Sequence, residues 1–409
     1  IGVISIGFFT YQVQKATRLV MLGSSDSRFD SWSTRISEFI SGWLFQKKVL
    51  RDKVAGIMHV LMFWGFLMLS TDMFDLATAN AFSEKVLPEI LVGPWNGMVE
   101  LGYFMALIGC VSALTRRVVF TPEKLKGKSQ LEGNAILLLI FTITTTSFMV
   151  ESAESPSSFW EPLGYWFSEI GLSEQTVILS YWAHMLAISV FLFLIPLSKH
   201  MHLVMAVPNV FFHDAGPKAR MRPLATGDDG KAIPLEDLDI DSFGVSSYNQ
   251  YSWRQLIDGW SCTSCARCQD VCPAYASGKG LNPMQVIHDV RNYANDHAPI
   301  LLAGGQPDET MLERITEEAV WACTTCNACV DVCPLYIEHV PKLTDLRRPP
   351  DPPNFPKGSW RNRQIPVLLI VGTDCDSGKM TTAWEVTKRL KDRGNKVEFI
   401  GTGQTGILL

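Results

Sequence analysis

The sequence predicts an all-α protein: a five-helix transmembrane bundle, then a helical domain built on two cysteine runs, then a partial α/β fragment. Three observations carry this. Stretches of about 20 nearly uncharged residues, the length that spans a bilayer, recur through the first half of the chain. Nine of the ten cysteines lie beyond residue 210, eight of them in two copies of one spacing. Beyond residue 365 the pattern changes to strand, glycine-bearing loop and helix. The 409 residues are 47% apolar and only 19% charged, against roughly 25% charged in soluble domains. Mean hydropathy is +0.12, which excludes a disordered chain. Ten cysteines are too sparse for a small disulfide scaffold. A net charge of −5 gives no footprint for nucleic acid.

In the membrane half, residues 54–71 and 177–197 carry no charge, 97–115 only Glu100 and 131–150 only Glu132. Ile1 to about Val20 reads as a first helix whose beginning is missing, since the chain starts inside an apolar run. A soluble bundle has no use for so many fully apolar helices. Lysines and arginines collect on the cytoplasmic side of a membrane. Here Lys15, Arg18, Arg28, Arg35, Lys47, Lys48, Arg51 and Lys53 follow helix one, and Arg116, Arg117, Lys124, Lys126 and Lys128 follow helix three. The alternate loops are acidic, with Asp72, Asp75, Glu84 and Glu89 in one and Glu151, Glu154, Glu161, Glu169 and Glu174 in the other. The N-terminus is therefore expected outside, and everything after helix five in the cytoplasm.

Ionisable residues at membrane depth are costly and point to function. His59 falls near the cytoplasmic start of helix two and His202 near the cytoplasmic end of helix five. Antiparallel helices would bring both to one depth, an arrangement suited to two neutral imidazoles on a haem iron. His184 and His202 are 18 residues apart, which is five turns of an unbroken helix and so one face of it. Glu100 is a candidate proton carrier, set against an ordinary interfacial charge.

Cys262-x₂-Cys265-x₂-Cys268-x₃-Cys272-Pro273 recurs as Cys323-x₂-Cys326-x₂-Cys329-x₃-Cys333-Pro334. In such runs three thiolates hold one [4Fe–4S] cube and the fourth reaches across to the other. The sets are Cys262, Cys265, Cys268 and Cys333, and Cys323, Cys326, Cys329 and Cys272. Paired C-x₂-C units can also hold structural zinc, but two complete four-cysteine runs, each closed by Cys-Pro, favour iron–sulfur.

The stretch His184-Met-Leu-Ala-Ile-Ser-Val-Phe-Leu-Phe-Leu-Ile-Pro-Leu-Ser-Lys-His-Met-His202, followed by Val207-Pro208, resembles the last helix of the nitrate reductase gamma-subunit family. The cytochrome b subunit of membrane heterodisulfide reductases is similar. In that five-helix family two haems b stack across the membrane, each between a helix-two and a helix-five histidine. His184 and His202 match the helix-five positions and His59 the cytoplasmic-side position of helix two. Leu69 stands where the second helix-two histidine is expected. The resemblance thus implies one haem b at His59 and His202 and puts a second, outer haem in doubt. His184 is left to a quinone, another axial partner or a structural role, and His200 is the fallback ligand.

The helical stretch 283–322 between the cysteine runs resembles the dicluster domain of heterodisulfide reductase, fumarate reductase-like and anaerobic glycerol-3-phosphate dehydrogenase subunits. Cys333-Pro-Leu-Tyr-Ile-Glu-His-Val340, followed by Arg347-Arg348, resembles the fused membrane proteins of heterodisulfide-reductase type. These join the same cytochrome to the same dicluster module, and residues 1 to about 348 fit them. The resemblance implies a protein of the cytoplasmic (inner) membrane of a prokaryote. It would pass electrons between a soluble cytoplasmic donor or acceptor, electron-transfer flavoprotein among the candidates, and a pool of menaquinone or a related quinone. Two alternatives remain: an anchor and electron wire for a separate catalytic subunit, and a nucleotide-regulated membrane protein.

The domains expected are 1–212 (cytochrome), 213–250 (linker), 251–348 (dicluster), 349–364 (proline-rich linker) and 365–409 (incomplete P-loop fragment). In the last, Ile365 to Val371 and Lys396 to Ile400 read as strands around Gly372-Thr-Asp-Cys-Asp-Ser-Gly378-Lys379-Met380-Thr381 and a helix. Backbone amides at a helix N-terminus with Lys379 beside them suit a phosphate. Gly378, Lys379 and Thr381 are the candidate nucleotide residues, with Met380 where a hydroxyl normally follows the lysine. The segment resembles a P-loop family related to dethiobiotin synthetase, with Gly401-Thr-Gly-Gln-Thr-Gly406 as a second matching stretch. It reads as foreign to the rest, joined near residue 349. Cys375 is assigned neither to a cluster nor to catalysis.

Overall fold

A computed structural model of the chain describes residues 2–82, 89–120, 128–153, 156–216, 244–347, 366–371 and 379–399. These form helices joined by turns, in the order α1 (Gly2–Val20), α2 (Trp32–Phe39), α3 (Lys53–Phe82), α4 (Glu89–Val118), α5 (Lys128–Glu151), α6 (Pro162–Glu169), α7 (Glu174–Leu194) and α8 (His202–Phe211). Then come α9 (Trp253–Ser261), α10 (Arg267–Asp270), α11 (Pro273–Ala276), α12 (Pro283–Asp296), α13 (Ala298–Leu302), α14 (Met311–Ile315), α15 (Glu317–Ala322), α16 (Ala328–Val332), α17 (His339–Thr344) and α18 (Lys379–Asp392).

Four helical stretches are long and apolar enough to cross a membrane among the described residues: Lys53–Thr71, Ile90–Val118, Gln130–Glu151 and Glu174–Leu197. Their outward faces carry bare apolar side chains, such as Leu179 at 71% and Trp182 at 65% exposed, which water would oppose and lipid accepts. Without a hydrophobic drive between helices in lipid, close packing of small residues holds them. Where α3 crosses α4, a Cβ on Gly65 would lie 2.7 Å from the Gly102 carbonyl, and one on Gly102 would lie 2.7 Å from Met68 Cβ. Phe159, Trp160, Tyr165 and Trp166 stand exposed around α6, where an aromatic belt would sit. Glu100 caps that helix: its carboxylate accepts the Gly164 N–H at 2.6 Å. A carboxylate at a helix N-terminus is favoured by the dipole, so its geometry is that of a structural cap.

The expected first spanning helix is α1, which forms but is not among the four. Its first turns expose Val3, Ile4 and Ile6, whereas Ala16, Leu19 and Val20 are buried in the same core as Tyr248, Tyr251 and Leu256 of the cysteine domain. Lys15 and Arg18 break the apolar run, and the end of α1 packs into protein instead of lipid. Tyr248 donates its hydroxyl to the Leu19 carbonyl at 3.2 Å. At the chain turn after α1, Ser24 N–H donates to Tyr251 O (2.8 Å) and Trp253 N–H to Ser24 O (3.1 Å). Gly23 permits this approach, since a Cβ there would meet Trp253 N at 2.6 Å.

The last spanning helix also departs from the expected unbroken run. α7 ends at Leu194 and gives way to tight turns at Ile195–Leu197 and Lys199–Met201, with Ser198 extended between them, before α8 begins at His202. Pro196 removes a backbone donor and clashes with the preceding turn, so His184 and His202 do not share a face of one helix.

α8 ends inside protein, where its last carbonyls need donors. Two buried arginines supply them. Arg35 donates to Phe211 O (3.3 Å) and His213 O (2.6 Å). Arg254 donates to Phe212 O (3.0 Å) and to Asn209 Oδ1 (2.8 Å). Arg254 also bonds Asp258 (2.8 Å), which takes Lys342 Nζ at 2.5 Å. All three of Arg254, Asp258 and Lys342 are 0% exposed. Glu338 extends the network to Arg28 (3.2 Å) and, through it, to Asp26. Burial would push the Asp258 carboxyl up, but the Arg254 and Lys342 charges outweigh it and hold it below the usual range.

In the P-loop segment only α18 is regular among the described residues. Residues 366–371 and 395–399 carry no strand, contrary to the expected β–α–β order, and Val367, Leu368, Leu369 and Val371 stand exposed. A lone strand has neither ladder nor core to hold it.

Replacing Asp258 with Ala strands two buried cations. It is expected to lower stability by about 3–5 kcal/mol, read as a lower unfolding temperature in detergent, and the Asp258→Leu/Lys342→Met pair should recover part of the loss.

Candidate iron–sulfur and histidine site

The two cysteine runs fold alike. α9 and α15 each stop at the first cysteine, Cys262 and Cys323, where the backbone becomes extended. The loops then turn left-handed at matching positions: Ser264 (φ 56°) and Ala266 (φ 62°) in one, Thr325 (φ 57°) and Asn327 (φ 59°) in the other. That conformation is costly for residues bearing a Cβ and gathers at functional sites. Alternating turns of this kind aim successive N–H groups into one concavity, which suits an anion. The Thr325 N–H points to Cys323 Sγ at 3.4 Å. The fourth cysteine of each run precedes a proline, and Cys272 opens α11.

These fourth cysteines cross over. Cys262, Cys265 and Cys268 line a cavity of about 310 Å³ together with Cys333. Cys323, Cys326 and Cys329 line one of about 330 Å³ together with Cys272. All eight are free thiols. Burial, with repulsion from neighbouring thiols, pushes Cys262 up to about 11 and Cys333 up to about 12. Cys268 and Cys329 are driven higher for the same reasons. Deprotonated together, four such sulfurs would repel one another, so the donor set suits metal cations that balance the charge.

The cavities differ in surroundings. Cys326 is exposed and Cys265 half-buried, while the other three thiols of each cavity are buried. The first cavity lies against α8 and the segment that leads into α3. Ser261, beside Cys262, donates to Met205 O of α8 (3.1 Å), and Asn209 of α8 donates to Leu335 O (2.8 Å). Arg267, which lines the cavity, donates to the Lys48 and Val49 carbonyls at 3.0 and 3.1 Å, just before α3.

On α3, His59 lies within electrostatic reach of both His202 and Arg267. Its Nδ1 is buried with no hydrogen-bond partner. His202 directs Nδ1 to the Lys199 carbonyl (2.8 Å), which leaves Nε2 as the atom that can meet a metal. The structure thus places His59 within electrostatic reach of His202 and of Arg267, the latter a residue of the first cavity's lining. His184 stands apart on α7, with Nδ1 at 3.1 Å from both Ile143 O and Thr146 Oγ1 of α5. His200 turns to Ser198 Oγ (3.0 Å). Lys379 and Thr381 lie in the first turn of α18, and Gly378 falls outside the described residues.

Sequence reasoning passed over His288 and His339. His288 Nε2 is 3.6 Å from Cys262 Sγ, and His339 lines the same cavity. No spacing rule marks His288, which arrives from α12 by tertiary packing.

Residues 254–334 match a family model described as a 4Fe-4S dicluster domain. The chain carries a dicluster iron–sulfur domain. Residues 354–409 match a second model, described as a domain of unknown function (DUF1611_C) P-loop domain. Over 85% of this chain, the sequence is 28% identical to the EtfAB:quinone oxidoreductase of Syntrophomonas wolfei, of which 53% is covered. It is 27% identical over 84% of the chain to the probable iron-sulfur-binding oxidoreductase FadF of Bacillus subtilis, covering 54% of that protein. A probable membrane-anchored ferredoxin of Chromohalobacter salexigens is 35% identical over 30% of the chain and 21% of its own length. The chain spans about half the length of the first two relatives. No solved structure gives a significant match. The dicluster domain therefore sits in a membrane protein homologous to iron–sulfur oxidoreductases.

Burial pushes the His339 imidazole down to about 4, against about 6.5 in an unfolded chain. The unfolded state binds the proton first, so this contribution to stability is complete above about pH 6.5 and is lost as pH falls towards 4. Unfolding scans are expected to show a loss of roughly 3 kcal/mol across that window, removed in His339→Phe.

Proposed function

We propose that the protein is a membrane-bound respiratory electron-transfer subunit, carrying electrons between a soluble redox partner and the quinone pool through two [4Fe–4S] clusters and haem b. The observation that supports this most is that each cavity gathers three cysteines of one run with the fourth of the other, in a chain that also carries four helices able to cross a membrane. Cys323, Cys326, Cys329 and Cys272 would ligate the solvent-side cluster, and Cys262, Cys265, Cys268 and Cys333 the membrane-side cluster. Cysteine-held clusters are one-electron carriers whose potentials follow burial and hydrogen bonding. The exposed Cys326 marks the side from which a soluble partner would exchange electrons.

His59 and His202 are the residues that would hold haem b, which supplies a one-electron carrier within the bilayer. The orphaned Nδ1 of His59 and the backbone-anchored Nδ1 of His202 fit such a group. α5 holds the His184 ring in place, which suits a polar contact to menaquinone or a related quinone. The charge pattern of the loops supports an outer N-terminus, counting α1 as a fifth membrane helix, with the iron–sulfur domain in the cytoplasm. The similarity to a protein named EtfAB:quinone oxidoreductase favours a flavoprotein as the soluble partner.

In a second reading the chain is an anchor and wire for a separate catalytic subunit. Addition of a menaquinol analogue to the purified, oxidised protein separates the two. Haem reduction is expected; none would leave only the wire. Optical spectra of His59→Ala and His202→Ala should each lose the bis-histidine low-spin signature, and its survival in both would disprove the ligand pair. For the P-loop domain, ATP binding abolished by Lys379→Ala would support a nucleotide role at Gly378, Lys379 and Thr381, and unchanged binding would dispose of it.

A further inference from the structure

The two cysteine runs provide an internal comparison. In each, an amide two residues on serves the first cysteine: the Thr325 N–H for Cys323 and the Ser264 N–H for Cys262. Each first cysteine also faces one arginine, Arg347 beside Cys323 and Arg291 beside Cys262. They differ in that the Asp258 carboxylate acts on Cys262, Arg347 donates to the Cys323 carbonyl, and Cys262 alone of the two has an imidazole beside its sulfur among the described residues. His288 Nε2 lies 3.6 Å from Cys262 Sγ, within reach for a sulfur acceptor, and 3.1 Å from Ser264 Oγ. No histidine contact is recorded for Cys323 among the described residues. His288 is held in place by its helix, because Ile287 and Val290 on either side are 0% exposed.

A hydrogen bond donated to a ligating sulfur draws negative charge off it. The reduced cluster carries one more electron than the oxidised one, so it gains more from the donor, and the potential rises. We propose that His288 donates to Cys262 and raises the reduction potential of the membrane-side cluster above the value it would have without that donor. The inference rests on the reading that the two cysteine sets ligate clusters.

The test is a potentiometric titration of the full chain followed by EPR. The cluster lost in Cys265→Ser identifies the membrane-side signal. In His288→Phe, which keeps ring bulk but no donor, that midpoint is expected to fall while the other stays fixed, with iron and sulfide content unchanged. Both midpoints unmoved at full iron content would overturn the proposal. Ser264→Ala removes the hydroxyl that competes for the same N–H, and the membrane-side midpoint should rise. If His288→Phe fails to hold its cluster, an unmoved midpoint in Ser264→Ala is the overturning result. A wild-type protein purified with its iron counted but holding none sinks the cluster reading itself, a failure distinct from unmoved midpoints.

Discussion

Arg254 is the joint of the molecule. One side chain satisfies the end of α8, the helix that follows the last membrane span, at Phe212 O and Asn209, and also pairs with Asp258 inside the cysteine domain. A buried charge without partners costs several kcal/mol, so the surroundings are over-determined: Lys342, Glu338, Arg28 and Asp26 complete a network of three cations and three anions. The groups come from α9, α17, the segment after α1 and the end of α8. Moving the cysteine domain off the membrane helices would break the set, and the cavities would lose their fixed relation to His59 and His202.

That fixed relation matters because electron carriers need proximity more than they need acid–base chemistry. The main apolar core lies in the cysteine domain and reaches across the junction: the end of α1 and Met205 in the first turns of α8 join one cluster with α9 and α12. Arg267 reinforces the contact from the cavity side through the carbonyls before α3. The matching position in the second run is Ala328, too short to make such a bond. The second run meets the same segment differently, through Asp331, whose carboxylate and carbonyl accept from Arg51 at 2.9 and 3.0 Å.

Much of this was legible in the sequence. Hydropathy located the four spanning stretches, and the doubled cysteine spacing located both cavities with their crossed fourth cysteines, because both signals are local and periodic. What escaped was set by tertiary packing. The fate of α1 turned on which protein surface its Ala16, Leu19 and Val20 meet. Pro196 was visible, but its effect on the His184–His202 register required the actual break at Ser198. His288 carries no spacing signal at all. Around α18 the described residues 366–371 and 395–399 form no strand, because apolar periodicity alone does not supply a pairing partner.

The crossing of Cys272 and Cys333 has a consequence for biogenesis. On the proposed ligand sets, each cluster borrows one thiolate from the other run, with 64 residues between Cys268 and Cys333 and 50 between Cys272 and Cys323. On a growing chain neither set can close before the second run is made: one is complete at Cys329 and the other at Cys333. A chain cut short between the runs would carry only part of each set, so both sites depend on finishing the whole domain.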